Sequence, residues 1–362
     1  MAGAGPWGLG IAWRAAADGA SVVVVDDGGQ PAAWVAAGML GPWSEPTEGE
    51  EELHRLLVRS ARAWPGFAAD LASAAGRDAG YVVSGAVLAA ARPAHRAVVR
   101  HRLRLLEGWG EGVEWLPGSA LRDLEPGLGP AVSGGASLPD EHQVEPRALL
   151  AALRAACAAA GVTIVPGRVA AIRRSGGRAR GVKLEDGAAV EAGRVVIAAG
   201  WRSGSLGEAV TVRPVKGQIL RARATAAAPV PIRRVVRTPS VYLAPRGDEV
   251  VIGATMEERG DRLVTVGGAH GLLDEALRVV PELAEMELAE LAAGLRPTSP
   301  RGLPVIGTDP ADGVVWATGG YRHGLLLLPV ASEAGAALAL GGPAPAWADV
   351  AAAGVAGTCA SA

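Results

Sequence analysis

The chain has 362 residues, of which 49% are hydrophobic, enough for one large core or two smaller ones, so a disordered or fibrous protein is excluded. It carries 35 basic and 37 acidic residues, a formal charge of −2, with no concentrated basic block. Nucleic acid and anionic membranes are therefore poor partners, and a small-molecule ligand is expected.

The two cysteines, Cys157 and Cys359, lie in no motif and predict neither a disulfide framework nor a metal site, which suits a reducing cytoplasm. The first residues lack the basic and then apolar pattern of a secretory signal. No apolar run reaches the roughly 18 to 20 residues that span a bilayer. We expect a cytoplasmic protein without a membrane span.

The chain opens with "MAGAGPWGLG", in which Gly3, Gly5 and Gly8 have the G-x-G-x-x-G spacing of a phosphate-binding turn. Residues 9–18 predict a helix that stops at Gly19. The β-branched residues 21–25 then predict a buried parallel strand. The order of turn, helix and strand is typical of a dinucleotide-binding unit.

Two acids follow this strand, about 20 residues after the turn, where a dinucleotide site needs a carboxylate for a ribose hydroxyl. Asp26 fits this role, and Asp27 is expected to point the other way. The glycines allow backbone N–H groups to approach a pyrophosphate, and the helix N-terminus favours the anion. The alternative is a glycine-rich turn that serves only helix–strand packing.

The rest of the chain alternates helical and strand patterns. A helix is predicted over 48–75, broken near Pro65-Gly66, and 81–140 has the mixed texture of an inserted region. Another helix is predicted over 144–160. Further strands are predicted over 162–165, 169–173, 181–185, 195–198 and, in antiparallel order, 213–255. Residues 272–291 then predict a helix, and the segment from Gly313 predicts a strand, a turn and a helix.

Hydrolase and metalloenzyme functions find little support. His54, His95, His101 and His270 are scattered, are expected to face solvent and make no metal-ligand spacing. The "GWRSGSLG" segment at Gly200 resembles G-x-S-x-G but lacks the strand-to-nucleophile context of a nucleophile elbow. No metal is therefore expected.

Several stretches occur together and in a familiar order: "GLGIAWRAAADGASVVVVD", "AAGML", "VEPRALLAALRAACAAAGV", "RPVKGQILR", "YLAPR", "VVIGATMEERG", "AGLRPTSPRGLPVIG" and "ATGGYRHGLLLLPV". With them the chain resembles, from about Gly3 to Ser332, the FAD-dependent glycine oxidase family of thiamine biosynthesis. That family lies in the D-amino acid oxidase and sarcosine oxidase superfamily. The resemblance implies FAD as the cofactor.

The resemblance also implies which residues contact FAD. By position these are Gly3, Gly5, Gly8, Asp26, Ala37, Gly38, Met39, Val169, Gly200, Gly320, Arg322, His323, Gly324, Leu325 and Leu326. Neither cysteine matches the covalent flavin attachment of monomeric sarcosine oxidases. We therefore expect FAD to be bound non-covalently.

On the substrate side, the resemblance implies that Arg296 pairs with a carboxylate and that the Tyr242 hydroxyl assists. An Arg–carboxylate fork is bidentate and fixes direction, which Lys does less well. Met256 matches a pocket-lining position, and the backbone carbonyl of Arg322 is expected to accept from the amine. The alternatives are a surface arginine, ordinary strand packing for Tyr242, and a core-filling role for Met256 and Met39.

The implied activity is oxidative deamination of glycine or another small amino acid by hydride transfer from Cα to flavin N5. Oxygen then reoxidises the flavin and gives hydrogen peroxide. The imine yields glyoxylate and ammonia or feeds thiazole synthesis, which makes thiazole synthase an expected partner. A homo-oligomer is also expected, as in many relatives.

Two alternatives stay open. One is a related FAD amine oxidase or dehydrogenase that acts on sarcosine, a D-amino acid or proline. The other is a catalytically silent FAD-binding protein, suggested by departures from the family pattern. The segment "GGQPAAWV" lacks the Arg, Ser and Thr that help bind phosphate, Gly320 replaces a usual His, and His323 replaces a usual Asn.

Only Met1 and Ala2 precede the glycine turn, where the family fold has a central strand. Its loss is expected to expose neighbouring strand edges and to unseat the turn. We therefore expect either that the true start lies upstream, with a Val/Ile-rich strand restored, or that this chain binds FAD poorly.

The expected fold is α/β plus α+β: a Rossmann-like FAD-binding domain, its first strand apparently truncated, interleaved with a substrate domain on an antiparallel sheet. The FAD-binding domain is predicted over 1–80, 145–208 and 292–345. The substrate-binding domain is predicted over 81–144 and 209–291, and residues 346–362 form a frayed tail.

Overall fold

The computed structural model describes residues 1–309 and 311–348. Most of the predicted tail, and with it Cys359, lies outside the described residues. The α-helices within them are α1 (Pro6–Ala17), α2 (Glu51–Ala75), α3 (Pro93–Gly108), α4 (Gly118–Leu124), α5 (Pro146–Ala159), α6 (Val266–Val279) and α7 (Leu328–Ala339). Short 3₁₀ turns cover Ala32–Val35, Gly200–Leu206, Pro281–Glu285 and Ala346–Ala348.

The strands alternate with these helices along the chain. They are β1 (Val23–Asp26), β2 (Met39–Leu40), β3 (Tyr81–Val82), β4 (Ala86–Ala90), β5 (Leu116–Pro117), β6 (Gly134–Leu138), β7 (His142–Val144), β8 (Thr163–Pro166), β9 (Val169–Ser175), β10 (Arg178–Leu184), β11 (Ala189–Glu191), β12 (Val196–Ile197), β13 (Arg213–Arg223), β14 (Val235–Arg237), β15 (Tyr242–Arg246), β16 (Glu249–Gly253), β17 (Glu287–Thr298), β18 (Val305–Thr308) and β19 (Val315–Thr318).

One sheet, which we call the nucleotide sheet, joins β8, β1, β12, β19 and β18. Strand β1 pairs in parallel with β8, and β12 pairs in parallel with β19, while β18 is antiparallel. Ala2 makes parallel bridges to Val25 and Ile197, so it connects the two halves of the sheet. Helices α1, α2, α5 and α7 pack together beside this sheet around a continuous apolar core.

Ala2 is held on both sides by backbone hydrogen bonds. Its N–H donates to the Val196 carbonyl, its carbonyl accepts from the Ala198 N–H, and the Val25 N–H donates to the Met1 carbonyl, each at 2.8 Å. The Gly3 N–H donates to the Val25 carbonyl, also at 2.8 Å. These bonds attach the glycine turn to the nucleotide sheet, so the expectation that the turn is unseated was wrong.

An eight-stranded sheet, which we call the large sheet, has the order β17–β13–β16–β15–β14–β4–β6–β5. Its pairs are antiparallel except for the parallel pair of β14 and β4. Helix α6 packs against β13 and β16. Two smaller sheets complete the fold, β9–β10–β11 and β2–β7–β3. The expected combination of α/β and antiparallel architecture is confirmed.

Two local predictions were wrong. Helix α2 continues through Pro65 without a break, because Trp64 and Phe67 are both buried in the core and hold the two sides in line. Residues 287–291 belong to β17 instead of a helix, because they pair with β13 from Glu287 onward. Tertiary pairing outweighs the helix-forming composition there.

Histidine positions also differ from expectation. His54 and His95 are buried, and their imidazoles contact Glu111 at 3.4 Å and the Ser240 hydroxyl at 2.9 Å. The domain boundaries stay a prediction, and the proposed boundary at residue 292 falls inside β17. In the described part of the chain, every helix is too short or too polar to cross a membrane.

Candidate active site

A cavity of about 750 Å³ is lined by residues of both the nucleotide sheet and the large sheet. Its wall includes the glycine turn at one end, and Tyr242 and Arg296 from the large sheet. This volume lies within the range that small-molecule and cofactor sites occupy. Most of the sequence-predicted site residues line this one cavity.

The glycine turn requires its glycines at two positions. Gly3 has a φ of +102°, and a Cβ there would lie 2.5 Å from the Ala198 carbonyl oxygen. A Cβ on Gly8 would lie 2.0 Å from the Gly3 carbonyl oxygen. Gly3 and Gly5 line the cavity, whereas Gly8 does not and supports the turn from behind.

Helix α1 begins at this turn with an uncapped N-terminus. The N-cap residue is Gly5, so no side chain caps the helix, and the first turn has no acidic residue. The Asp26 carboxylate, on the cavity wall, accepts hydrogen bonds from the Ala4 N–H at 2.7 Å and the Gly28 N–H at 2.9 Å. Free N–H groups beside a fixed carboxylate suit a pyrophosphate and a ribose, so this end fits a dinucleotide.

Asp27 also lines the cavity, beside two arginines that sequence reasoning missed. Arg168 donates to its carboxylate at 2.8 and 3.0 Å, and Arg202 lies 3.5 Å away. The hydrogen bond from Arg168, and then that from the Gly29 N–H, hold the pKa of Asp27 below its usual range. Val169 follows Arg168 on the wall. An isolated arginine in an arginine-rich sequence gives no signal of such a pair.

The segment Ala37, Gly38 and Met39 lies on the wall nearer the large sheet. Gly38 has a φ of +75°, and a Cβ there would lie 1.9 Å from the Val144 carbonyl oxygen. Arg246, which is buried, donates to the Ala37 carbonyl. Arg246, which the sequence did not indicate as a site residue, therefore fixes the position of this segment.

The C-terminal turn contributes Gly320, Arg322, Gly324 and Leu325 to the cavity wall. A Cβ at position 320 would lie 2.8 Å from the Trp7 ring, and the Trp7 indole N–H donates to the Gly324 carbonyl at 2.6 Å. The Trp7 side chain occupies the space that a side chain at position 320 would need. Glycine at this position therefore follows from the packing of Trp7.

Gly200, also on the wall, accepts a hydrogen bond from the Thr318 hydroxyl at 2.9 Å through its carbonyl. Two other predicted cofactor residues, His323 and Leu326, lie off the wall. The Leu326 side chain is buried in the core, and its carbonyl accepts from the Ser60 hydroxyl and the Trp64 indole. Burial lowers the pKa of His323 to about 4, so its imidazole is neutral at neutral pH. Neither residue lines the cavity, and a cofactor contact by either one stays a prediction.

Arg296 projects from β17 over Gly217 of β13. Its Nη1 donates to the carbonyls of Lys216 at 3.3 Å and Thr255 at 3.1 Å. Among the described residues, no carboxylate lies within ion-pair distance of it. A guanidinium that is held by carbonyls and faces the cavity can donate hydrogen bonds to the carboxylate of a ligand.

Tyr242 lies close to Arg296 on the same wall. A Cβ on Gly253 would lie 2.4 Å from its hydroxyl, so glycine there leaves room for the phenol. Burial raises the pKa of Tyr242, although the Arg296 guanidinium acts in the opposite direction. The hydroxyl therefore stays protonated at neutral pH and can donate to an anion.

Met256 forms an outer part of the wall. Met256 is 56% exposed, and its sulfur accepts a hydrogen bond from the Tyr321 hydroxyl at 2.7 Å. This exposure excludes the alternative of a core-filling role for Met256. Met39 is half-buried and pairs, in β2, with Gln143.

A charged cluster lies beside Tyr242, and two of its three members, Glu45 and Arg237, were not predicted. The Glu45 carboxylate pairs with both Arg237 and Arg322. Burial works to raise the pKa of Glu45, but these guanidiniums hold it well below its usual range. Arg237 lies in β14, where all three residues are buried, and an arginine inside a short buried strand is the signal that sequence reasoning overlooked.

Known proteins resemble this chain in sequence and in fold. Residues 2–338 match the family model described as FAD dependent oxidoreductase, DAO. A bifunctional protein ThiO/ThiG of Trichormus variabilis is 35% identical over 335 residues, which is 91% of this chain and 50% of that protein. A glycine oxidase of Geobacillus kaustophilus is 32% identical over 342 residues, 91% of this chain and 89% of that protein.

The crystal structure of glycine oxidase from Geobacillus kaustophilus superposes with a TM-score of 0.87 at 31% identity, covering 94% of each chain. By contrast, the chain spans about half the length of the two-part ThiO/ThiG relatives that it matches.

Proposed function

We propose that this chain, which belongs to the family of FAD dependent oxidoreductases (DAO), oxidises glycine or another small amino acid at its α-carbon. One observation carries the proposal. Arg296, with no carboxylate partner among the described residues, and the protonated Tyr242 line the same cavity as the glycine turn and Asp26. A carboxylate anchor and a dinucleotide site thus share one space.

The residues that would hold FAD are those of the predicted set that line the cavity. They are Gly3, Gly5, Asp26, Ala37, Gly38, Met39, Val169, Gly200, Gly320, Arg322, Gly324 and Leu325. FAD held by these residues would supply the hydride acceptor for the substrate Cα and the route by which electrons reach O2, giving hydrogen peroxide. The uncapped α1 N-terminus supplies the partial positive charge for its phosphates.

The protein's own contribution is to bind and orient the substrate. Arg296 and Tyr242 bind the carboxylate, which fixes the direction of the Cα–H bond. The backbone carbonyl of Arg322 accepts from the amine, while the side chain of Arg322 is paired with Glu45. Met256 forms the apolar outer wall, which suits a small substrate. No side chain needs to take a proton from Cα.

The product is an imine that either hydrolyses to glyoxylate and ammonia or is used to build a thiazole. We expect thiazole synthase to be the protein that uses it. The relatives whose name joins ThiO to ThiG support this partner. The cytoplasmic location and a homo-oligomeric state stay predictions.

The test is to record the visible spectrum of the purified protein with added FAD, then to add glycine and follow bleaching and peroxide. We expect a flavin spectrum that glycine bleaches. No flavin spectrum would overturn the proposal. Bleaching by sarcosine, D-alanine or proline but not glycine would identify the related oxidase or dehydrogenase instead. A flavin spectrum that none of these bleaches would identify a silent FAD-binding protein.

Replacing Arg296 tests the carboxylate anchor. We expect Arg296→Ala to raise the KM for glycine about a hundredfold, because a charge-assisted bidentate pair is lost. The flavin spectrum should stay unchanged. Arg301→Ala, at an exposed position five residues further along, is the matched control and should leave KM as it is. An unchanged KM in Arg296→Ala would remove this residue from the site.

A further inference from the structure

The wall opposite the glycine turn carries no positive charge of its own. Residues 28–37, "GGQPAAWVAA", contain no Lys, Arg, Ser or Thr. Yet this segment faces the turn, since a Cβ on Gly5 would lie 3.9 Å from the Pro31 Cβ. A pyrophosphate bound there carries about two negative charges, while a helix N-terminus offers only about half a positive charge. The segment leaves most of that charge uncompensated.

Arg262 reaches this place from the other side of the cavity. Its Nη2 donates to the Gln30 carbonyl at 3.0 Å, and the residue lines the cavity. Among the described residues, no carboxylate lies within ion-pair distance of Arg262. Further along the wall, Arg168 is paired with both Asp27 and Glu185, and Arg202 is paired with Asp27, so these two arginines face two carboxylates. At this end of the cavity, Arg262 is thus the arginine whose charge is not already matched.

The loop that carries Arg262 is fixed by a buried lysine. Lys216, one of two lysines in the chain, is 0% exposed. Its Nζ donates to the Asp261 carboxylate and the Leu263 carbonyl, both at 3.1 Å, and lies 3.0 Å from Glu257. These contacts fix the residues on both sides of Arg262. A buried ammonium with three oxygen partners is a strong local constraint.

We propose that Arg262 is a FAD-binding residue that pairs with the pyrophosphate, and that Lys216 is a positioning residue that sets Arg262 in place. The charge that the segment 28–37 lacks is supplied across the cavity. The same loop, residues 254–265, also carries Met256 at the substrate end. A single loop therefore borders both the cofactor end and the substrate end of the cavity. The inference concerns FAD affinity alone, so it stands or falls independently of amino acid oxidation.

The test is a titration of the apoprotein with FAD at low and at high salt. Binding is measured by the quenching of tryptophan fluorescence. We expect Arg262→Ala to raise the Kd for FAD about tenfold to a hundredfold at low salt and to reduce its salt dependence. Arg262→Lys should give an intermediate Kd, because it keeps the charge but loses the fork.

Arg259→Ala is the matched control, because Arg259 lies on the same loop and off the cavity wall. It should leave the Kd unchanged. If Arg262→Ala binds FAD as the unaltered chain does, or if Arg259→Ala weakens binding equally, the phosphate role of Arg262 is wrong.

The positioning role of Lys216 has a separate measurement. Lys216→Met should raise the Kd for FAD, and the double variant with Arg262→Ala should bind no more weakly than Arg262→Ala alone, since Lys216 acts through Arg262. Additive losses in the double variant would overturn this role. Circular dichroism checks that each variant is folded, and Arg262→Ala, at an exposed residue, tests the phosphate contact even where Lys216→Met does not fold.

Discussion

The packing of Trp7 explains why residue 320 is a glycine. Gly320 differs from the usual residue of the resembled family, and from sequence alone this difference counts against FAD binding. In the structure, the Trp7 ring lies 2.8 Å from where a Cβ at position 320 would be, and its indole N–H bonds the same turn. The departure is a packing adjustment between two residues more than 300 positions apart. No pattern within either segment reveals it.

His323 gives a pH-dependent prediction. Burial lowers its pKa from 6.5 to about 4 in the folded protein, so the unfolded chain binds a proton more readily. The free energy of unfolding is therefore unaffected by His323 protonation above pH 6.5 and decreases as the pH falls towards 4. At about 1.4 kcal/mol per pKa unit, the loss amounts to roughly 3 kcal/mol at most.

Replacing His323 by Gln should flatten this part of the pH profile. We expect the melting temperature of His323→Gln to fall less between pH 6.5 and 4 than that of the unaltered chain. His270→Gln, at an exposed histidine of α6, is the control and should leave the slope unchanged. Equal slopes in all three proteins would show that His323 is not buried in its neutral form.

The paired strands β13 and β17 give a prediction at the scale of elements. Gly217 pairs with Gly294 across them, and the Arg296 guanidinium lies directly over Gly217. A Cβ at position 217 would lie 2.3 Å from Arg296 Nη2. We expect Gly217→Ala to displace the guanidinium and raise the KM for glycine about tenfold or more, with the Kd for FAD unchanged.

Gly267→Ala provides the comparison for this variant. A Cβ at Gly267 meets nothing within 4 Å, so this substitution should alter neither constant. Steady-state kinetics and FAD titration of both variants separate the two sites. Weaker FAD binding in Gly217→Ala, with an unchanged KM, would contradict the placement of Arg296 in the substrate site.

Elements with local signals could be predicted, and those that depend on distant pairing could not. Helix α5 was predictable because Pro146 begins it and Gly161, with a φ of +77°, follows its end. Strand β17 was not, because its sequence contains good helix formers and its strand conformation depends on β13, about 70 residues earlier. Pro65 predicted a break that the buried neighbours in α2 prevent.

At the scale of the whole molecule, an ionic network joins several elements through the half-buried Glu145 and the buried side chains of Arg221 and Arg246. Glu145 caps α5 by accepting from the Arg147 N–H at 3.1 Å, and its carboxylate lies 3.3 Å from Arg246 and 4.0 Å from Arg221. Burial lowers the pKa of Arg246 to about 10, and Glu145 opposes that effect. Arg246 in turn supports the Ala37 carbonyl.

We expect Glu145→Gln to lower the free energy of unfolding by about 2 kcal/mol, because Arg246 loses its carboxylate partner. It should also weaken FAD binding through the segment 37–39. Urea unfolding and FAD titration measure the two effects. Glu114→Gln, at an exposed glutamate off the cavity wall, is the control. Unchanged stability in Glu145→Gln would show that water solvates Arg246 adequately.

The candidate site was only partly predictable for the same reason as the fold. The glycine turn and Asp26 belong to a local motif, and Arg296 and Tyr242 lie in segments whose resemblance to a family is recognisable. Glu45, Arg237 and Arg262 become functional candidates only when three separate segments meet at one cavity. In a chain whose positive charge is nearly all arginine, residue type alone did not distinguish them.

The attachment of the glycine turn through Ala2 has a consequence for local unfolding. Among the described residues, the amides of Ala2, Gly3, Val25 and Ala198 make the bonds that connect the halves of the nucleotide sheet. An opening at this seam would break the cofactor turn and the sheet together, as one cooperative unit. Hydrogen exchange at these four amides would then slow when FAD binds, because bound FAD makes this opening less frequent.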